Sequence, residues 1–368
     1  MIIAEIGTSH EGSVEKAKAL IDASCSAGAD FIKFQWVYAE EILHPDTGFV
    51  KLPTGNIPLY QRFKELECPV SFYKEMLDYT HSLGKKFICS PFGLKSLQEL
   101  LEIHPDAIKI ASPELNHYPM LKFLAEYRKN QKEKIPIILS SGVSTLSDIE
   151  KAITIVGKQN VSLLHCITSY PAPEEEYNLN LIKNLSAVFG IPCGVSDHSL
   201  DPILVPALSI AAGGTIIEKH ITLSRKTEGL DDPVALEPEQ FGFMSHTVNQ
   251  AIASINHYGK DAGTRRIIDQ LSEQYGKEKI QKVLGTGIKE LAPAESQNYG
   301  RTNRSLHFMK AFDKGHVISK GDIGILRTEK VLTPGISPEY YDLVIGKTLS
   351  VSVENGAGVQ FTDFFQSN

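Results

Sequence analysis

The sequence predicts a TIM (β/α)8 barrel followed by a small β-rich domain, and three observations carry that expectation. Eight short apolar or β-branched runs recur through the first 220 residues, segments with helical apolar spacing separate them, and the C-terminal stretch replaces this alternation with a Gly-dense pattern lacking any helical period. Near-continuous apolar runs belong to strands buried on both faces. Eight β/α units in about 260 residues match the size of a barrel, with an open doubly wound sheet as the alternative.

The predicted strands are residues 2–6, 31–35, 86–90, 107–111, 135–140, 161–166, 192–196 and 215–219. Between the first two, Val14, Ala17, Ile21 and Cys25 share one helical face, as do Leu97, Leu100 and Leu101 later, and then Ile149, Ala152, Ile153 and Val156. Asp201-Pro202 reads as an N-cap with Pro at the first helical position, and Gly213-Gly214 closes that helix. Residues 37–70, rich in Pro, Gly and aromatics, form an insertion too long for an ordinary βα loop and are expected to cover part of the barrel mouth. A helix is predicted around 241–257. The expected domains are a catalytic barrel over 1–262, a charged linker over 263–302 and the small β-rich domain over 303–368.

Composition narrows the function classes. The chain has 42% hydrophobic and 22% charged residues, which excludes disordered and fibrous chains, and a net charge of −7, which argues against a nucleic-acid partner. The N-terminal apolar run contains Glu5 and lacks a basic leader, and no run approaches the roughly 18 apolar residues a membrane span requires, so a cytoplasmic protein is expected. Five scattered cysteines without a CxxC pair argue against both a disulfide framework and a zinc ribbon.

In a barrel the chemistry sits at the carboxyl ends of the strands. Those ends are polar throughout: Glu5; Lys33 and Gln35; Ser90; Lys109, Ser112 and Glu114; Ser140 and Ser141; His165, Thr168 and Tyr170; Ser196, Asp197 and His198; Glu218, Lys219 and His220. Charges aimed into a barrel are costly unless paired or ligand-bound, so their convergence marks a site for a charged ligand. Lys33 and Lys109, with the hydroxyls of Ser90, Ser112, Ser140 and Ser196, suit an anion carrying phosphate and carboxylate. No Walker A or GxGxxG loop points to a nucleotide. His198 and His220, on adjacent strand ends beside Asp197 and Asp231, are candidate ligands of a divalent metal, Mn²⁺ first with Mg²⁺ or Co²⁺ as alternatives. His165 precedes its strand end and is expected to be a core or supporting residue.

At these residues the chain resembles the sialic acid (N-acetylneuraminate) synthase family and its nonulosonic acid relatives. The carrying segments, in order, are AEIGTSHEGS, FIKFQ, CSPF, KIASPELNH, ILSSG, LLHCITSYPAP, GVSDHS and EKHITL, followed by Asp231 in GLDDPVALEP. The segments AFDKGHVISKGDI and PGISPEYYDLVIGK resemble that family's antifreeze-protein-like (SAF) domain. The resemblance implies condensation of phosphoenolpyruvate with an N-acylated hexosamine such as N-acetylmannosamine, metal-assisted and with cleavage of the C–O bond. It implies that His198 and His220 hold the metal, and that Lys33, Ser90, Lys109, Ser112, Ser140 and Ser196 bind phosphoenolpyruvate. Glu5, Glu114, Gln35, Tyr170 and Asp231 then face the sugar or the reacting carbons, Glu5 and Glu114 being the candidates to activate water.

Two departures stand out. Thr168 occupies a position where relatives often carry Ser or Asn, and where relatives often place an arginine in an RPG-like segment this chain has LRTEKVLTPGIS, with Arg327 the nearest arginine and Arg304, further upstream, the fallback. The resemblance also implies a homodimer in which each small domain caps the partner's barrel. The alternatives are a Schiff-base aldolase using Lys109 or Lys219, and a catalytically silent carbohydrate-binding protein.

Overall fold

Eight parallel strands close into a barrel in this protein, whose computed structural model describes residues 1–52, 55–227, 229–329 and 331–365. Positions 53 and 54 of the expected lid, 228, 330, and the last three residues of the expected small domain lie outside the described residues. In chain order the strands are β1 (Ile2–Gly7), β2 (Phe31–Trp36), an inserted hairpin of β3 (Phe49–Leu52) and β4 (Gly55–Pro58), then β5 (Lys86–Pro91), β6 (Ala107–Ile110), β7 (Ile137–Ser140), β8 (Val161–Cys166), β9 (Cys193–Asp197) and β10 (Ile217–His220). All but the hairpin belong to the barrel, which closes where β1 pairs with both β2 and β10. No helix among the described residues is long and apolar enough to cross a membrane.

The two-residue period of a strand explains why chemistry gathers at one end. Ile3, Ile88, Ala107, Ile138, Leu164 and Ile216 form an apolar plug inside the barrel. Two residues further along these strands, on the same face, come Glu5, Ser90, Lys109, Ser140, Cys166 and Glu218. The intervening residues, such as Ile2, Ala4 and Ile6, belong to the outer core between strands and helices. Register levels the mouth, with Glu5 opposite Lys33 on one side and His220 on the other.

The helices form where caps and stripes predict them. Ser13 caps helix Val14–Ser26, Thr145 and Asp148 form a reciprocal cap on Leu146–Val156, and the carboxylate of Asp201 accepts the amides of Ile203 (2.7 Å) and Leu204 (2.9 Å) at the start of Leu204–Ala211. In the insertion, Val37, Ile42, Leu43, Leu59 and Leu66 pack with Phe92 as a separate apolar cluster. Thr47 donates its hydroxyl to the Thr328 carbonyl at 3.1 Å, so the insertion lies between the barrel and the small domain.

The stretch expected as a linker is ordered. Its charged sequence folds into helices Lys260–Tyr275 and Lys277–Leu284, which bury Ile267, Leu271, Ile280 and Val283 in the barrel's outer core. The strap that follows is hydrogen-bonded onto the barrel: Asn180 Nδ2 donates to Gly285 O (2.9 Å), Asn184 Nδ2 to Gly287 O (2.8 Å) and Asn178 Nδ2 to Ile288 O (2.8 Å). It leads into β11 (Arg304–Phe308), paired antiparallel with β12 (Ile323–Arg327) over a small core of Leu306, Phe308, Ile318, Ile323, Val344, Leu349 and Val359. This small domain sits over the mouth of its own barrel. Within the one chain, Arg327 reaches Glu114 at 2.7 Å, and the strap that carries it is hydrogen-bonded along its course.

Candidate active site

The floor of the mouth is a chain of buried charges. Lys33 is ion-paired with Glu5, whose other oxygen accepts from Gln35 Nε2 at 2.9 Å. Glu218 Oε1 lies 3.9 Å from Lys33 Nζ and 3.7 Å from Lys109 Nζ, and accepts the Ser196 hydroxyl at 2.9 Å. Lys109 Nζ also donates to Ser140 Oγ at 2.7 Å. Isolated charges at this depth would be prohibitive, so mutual pairing is what keeps them ionised. Burial raises the Glu218 carboxyl, but Lys109 and Lys33 outweigh it and hold the group below its usual range. Burial pulls Lys109 down, whereas for Lys33 the charges of Glu218 and Glu5 prevail over burial and raise it. The cluster is neutral yet unsaturated: Glu218 Oε2, Ser90 Oγ and Thr168 Oγ1 are buried without a partner.

Gly7 makes room at the edge of this floor. Its φ of +57° favours glycine, and a Cβ there would lie 3.1 Å from Glu5 Oε1 and 3.2 Å from Gln35 Nε2.

Above the floor, the rings of His198 and His220 stand 5.6 Å apart, with Tyr170 stacked on His198 at 4.2 Å. His198 Nδ1 lies 2.9 Å from the Ile167 carbonyl. A carbonyl only accepts, so Nδ1 carries the proton and Nε2 keeps its lone pair. Burial lowers both imidazoles, which keeps them neutral, the form that binds a metal. His220 Nδ1 is 3.9 Å from Asp231 Oδ2. No group of three or more His, Cys, Asp or Glu side chains among the described residues converges as a ligand set. Two neutral nitrogens beside a carboxylate, with remaining positions left to water or substrate, fit an open divalent site.

The roof comes from the small domain. Glu114 Oε1 accepts Arg304 Nη2 (2.9 Å) and Arg327 Nη2 (2.7 Å), and the Arg327 guanidinium lies 5.2 Å from the centre of the Phe92 ring. Between floor and roof is a cavity of about 380 Å³, large enough for a small polar metabolite. It is lined by Lys33, Gln35, Lys109, Ser112, Ser140, Thr168, Tyr170, Ser196, His198, His220, Asp231 and Arg327.

Three other expected site residues are placed differently. Glu5 and Ser90 lie just behind the lining, and Glu114 is wholly buried under the two arginines rather than facing the cavity. Arg304, the fallback for meeting the sugar, is likewise buried and bonded, with only Arg327 reaching the lining. Lys219, one of the two lysines considered for a Schiff base, is fully buried against Asp197 Oδ2 at 2.6 Å and lies away from the cavity. His165 is a supporting residue, its Nε2 at the Tyr177 carbonyl.

Sequence reading missed several residues. Glu218 was visible as a strand-end charge, and its spacing of two from the plug residue Ile216 was the available signal. Asp232 binds the hydroxyls of Ser9 and Thr227 and so shapes the loop that presents Asp231. Asn298 and Thr302, from the strap, line the cavity, and Glu329 joins them from the small domain. Nothing in their local sequence signals this, because the strap reaches the site only through tertiary packing.

The model of the NeuB family matches residues 20–260, and that of the SAF domain residues 303–364. The chain is 31% identical to the N,N'-diacetyllegionaminic acid synthase of Campylobacter jejuni, over 94% of this chain and 95% of that one. The crystal structure of the Bacillus subtilis spore coat polysaccharide biosynthesis protein SpsE superposes with a TM-score of 0.79 at 28% identity, covering 100% of this chain and 96% of that one. The N-acetylneuraminic acid synthetase of Leptospira borgpetersenii, solved with citrate, gives a TM-score of 0.60 at 29% identity, over 80% and 88% of the two chains.

Proposed function

The chain belongs to the NeuB family, and from that premise we propose that it condenses phosphoenolpyruvate with an open-chain N-acylated hexosamine to give a nonulosonic acid and phosphate. The observation that carries this reading is the unsaturated floor: two lysines and several hydroxyls meet beneath a pair of neutral imidazoles, so an anion and a polarised carbonyl can lie side by side. Lys33 and Lys109 hold the phosphate and carboxylate of phosphoenolpyruvate, with Ser112, Ser140, Ser196 and Thr168 as short donors.

His198 and His220 are the residues to hold a divalent metal, Mn²⁺ being the leading candidate; bound there, it supplies Lewis-acid polarisation of the sugar's aldehyde oxygen. Tyr170 and Asp231 orient the sugar, and Arg327 over Phe92 meets its acyl group. The methylene carbon of phosphoenolpyruvate bonds to the aldehyde carbon. Water then adds at the neighbouring carbon, and its proton passes by way of the Glu5–Lys33 pair just behind the lining to the oxyanion left on the former aldehyde carbon; Glu114, committed to the two arginines, is not used. Phosphate leaves with the bridging oxygen, and the lysines stabilise its charge.

The test is to incubate the protein, a divalent metal and phosphoenolpyruvate with a panel of N-acylated hexosamines and weigh the products. A nonulosonic acid is expected, and ¹⁸O placed in the bridging position should depart with phosphate. No product with any hexosamine, together with borohydride trapping of a carbonyl substrate on Lys109, would replace this reading with the aldolase. The names of the relatives point to different sugars, so the panel includes mono- and diacetamido substrates.

A further inference from the structure

The strap between the last barrel-packed helix and the small domain carries one fully buried carboxylate. Glu295 is 1% exposed. Its Oε2 accepts two backbone amides from neighbouring strand ends, Val143 N at 2.9 Å beyond β7 and Thr168 N at 2.7 Å beyond β8. Charge-assisted bonds of this kind are the strong ones. A carboxylate placed at this depth is expensive without a specific task for its charge.

Both amides belong to segments that touch the cavity. Thr168 lines it, and its Oγ1 is buried without a partner. Val143 has a φ of +41°, unusual for a β-branched residue, so its backbone is held by its surroundings. Its neighbour Gly142 donates to Ser112 Oγ at 3.0 Å, and a Cβ on Gly142 would collide with Thr168 Oγ1 and approach Ser112 Oγ to 2.9 Å. Ser112 and Thr168 therefore both lie against Gly142, and Glu295 holds the backbone beside that glycine and at Thr168. The strap adds two further bonds, from Asn298 Nδ2 to Thr168 O (3.2 Å) and from Asn303 Nδ2 to Val143 O (2.9 Å).

We propose that Glu295 is a positioning residue for the anion site: through the amides of Val143 and Thr168 it sets the Ser112 and Thr168 hydroxyls at the spacing phosphoenolpyruvate requires. This rests on the reading of the substrate given above. Because the next residue after Asn303 is Arg304, the same strap orders the anion site and delivers the roof.

The experiment compares native protein with Glu295→Ala, Glu295→Gln and Glu295→Asp. Gln retains one oxygen able to accept both amides, whereas Ala removes the acceptor and Asp lacks the reach. Glu295→Ala should raise the KM and the calorimetric Kd for phosphoenolpyruvate about tenfold with kcat changed less than threefold, and Glu295→Gln should stay within threefold of native. A merely structural role would lower the melting temperature and leave KM and Kd of the folded protein unchanged, and that result overturns the proposal. If Glu295→Ala does not fold, Gln near native with Asp impaired supports it and the reverse order overturns it. Amide exchange of segments 141–144 and 167–170 separates this from the substrate reading. Should native protein not bind phosphoenolpyruvate, that reading falls, and the positioning role then stands if Glu295→Ala accelerates exchange there and falls if it does not.

Discussion

The floor and the roof of the mouth are both buried charge clusters, yet they are built to opposite ends. In the roof, Glu114 takes two arginines on paired positions of β11 and β12, and Arg304 spends its remaining donors on the carbonyls of Glu41, Ile42, Phe92 and Ile325. Asn116 brackets the Arg304 backbone with bonds of 2.8 and 3.0 Å. In the floor, two lysines share Glu218 while Lys33 also pairs with Glu5, and the Ser90 and Thr168 hydroxyls and Glu218 Oε2 remain unpartnered; in the roof, Glu114 Oε2 is likewise buried without a partner. A planar guanidinium with many fixed donors suits a latch, and a compact ammonium suits an exchangeable anion. The difference lies in where the donors go: Arg304 spends its own between the domains and away from the cavity, while the lysines and hydroxyls of the floor border it.

If that contrast is right, substitutions should separate function from stability. The largest effect is expected at Lys109→Met, with kcat/KM falling on the order of 10³-fold, about 4 kcal/mol, and with a smaller loss of thermal stability, because Glu218 loses one of its two lysines and keeps Lys33. Steady-state kinetics and thermal unfolding together check it; full activity would place the anion elsewhere.

Next, His198→Ala, or chelation of native protein, should lower kcat on the order of 10²-fold or more while phosphoenolpyruvate binding persists. Metal content by elemental analysis belongs with this measurement, and a variant that retains both metal and rate would remove the imidazole pair from the model.

The roof should behave in the opposite way. Arg304→Ala leaves Glu114 buried with a missing partner and should cost about 3 kcal/mol of stability, seen as early proteolysis near the strap, with phosphoenolpyruvate affinity kept. Equal loss of binding and stability would erase the distinction between roof and floor.

Arg327 sits at the boundary of the two regions. Arg327→Ala should raise the KM for the sugar about tenfold, with a smaller change for phosphoenolpyruvate. If each cap serves its own barrel, mixing it with a His198→Ala chain should restore no activity. Recovery after demonstrated subunit exchange would show that the cap can close on a partner.

The smallest effect per residue is expected from three buried imidazoles. Burial first, and then Lys16, Arg304 and Lys289 respectively, lower His10 to about 4 and His117 and His165 to about 3. In the unfolded chain these groups take up protons near pH 6.5, while the folded chain keeps them neutral. Their stabilisation is thus complete above that pH and declines as pH falls toward 4 and then 3, by about 1 kcal/mol for each imidazole between pH 7.5 and 5.5. His165→Gln should flatten the acid limb of a denaturation series, and an unchanged limb would show that this histidine titrates normally.

Much of the barrel was legible because its signals are local. A strand buried on both faces needs a run of apolar residues, and its period of two then dictates that Glu5, Lys109 and Ser140, two beyond Ile3, Ala107 and Ile138, point into one mouth. The stretch 263–302 was misleading for the opposite reason. Its many charges lie on the exposed faces of helices, and the sparse buried stripe of Ile267, Leu271, Ile280 and Val283 carries a weak pattern.

The sequence by itself determined the eight strands, the end of the barrel at which charge collects, and which cations and imidazoles meet there, since each follows from periodicity within one element. Only the tertiary structure decided which of those charges are spent and which remain available. Glu114 is consumed by arginines about 190 and 213 residues away, and Glu295 reaches Thr168 across 127 residues. Saturation of a buried polar group depends on every neighbour that packs against it, and those neighbours come from elements whose relative placement no local pattern encodes.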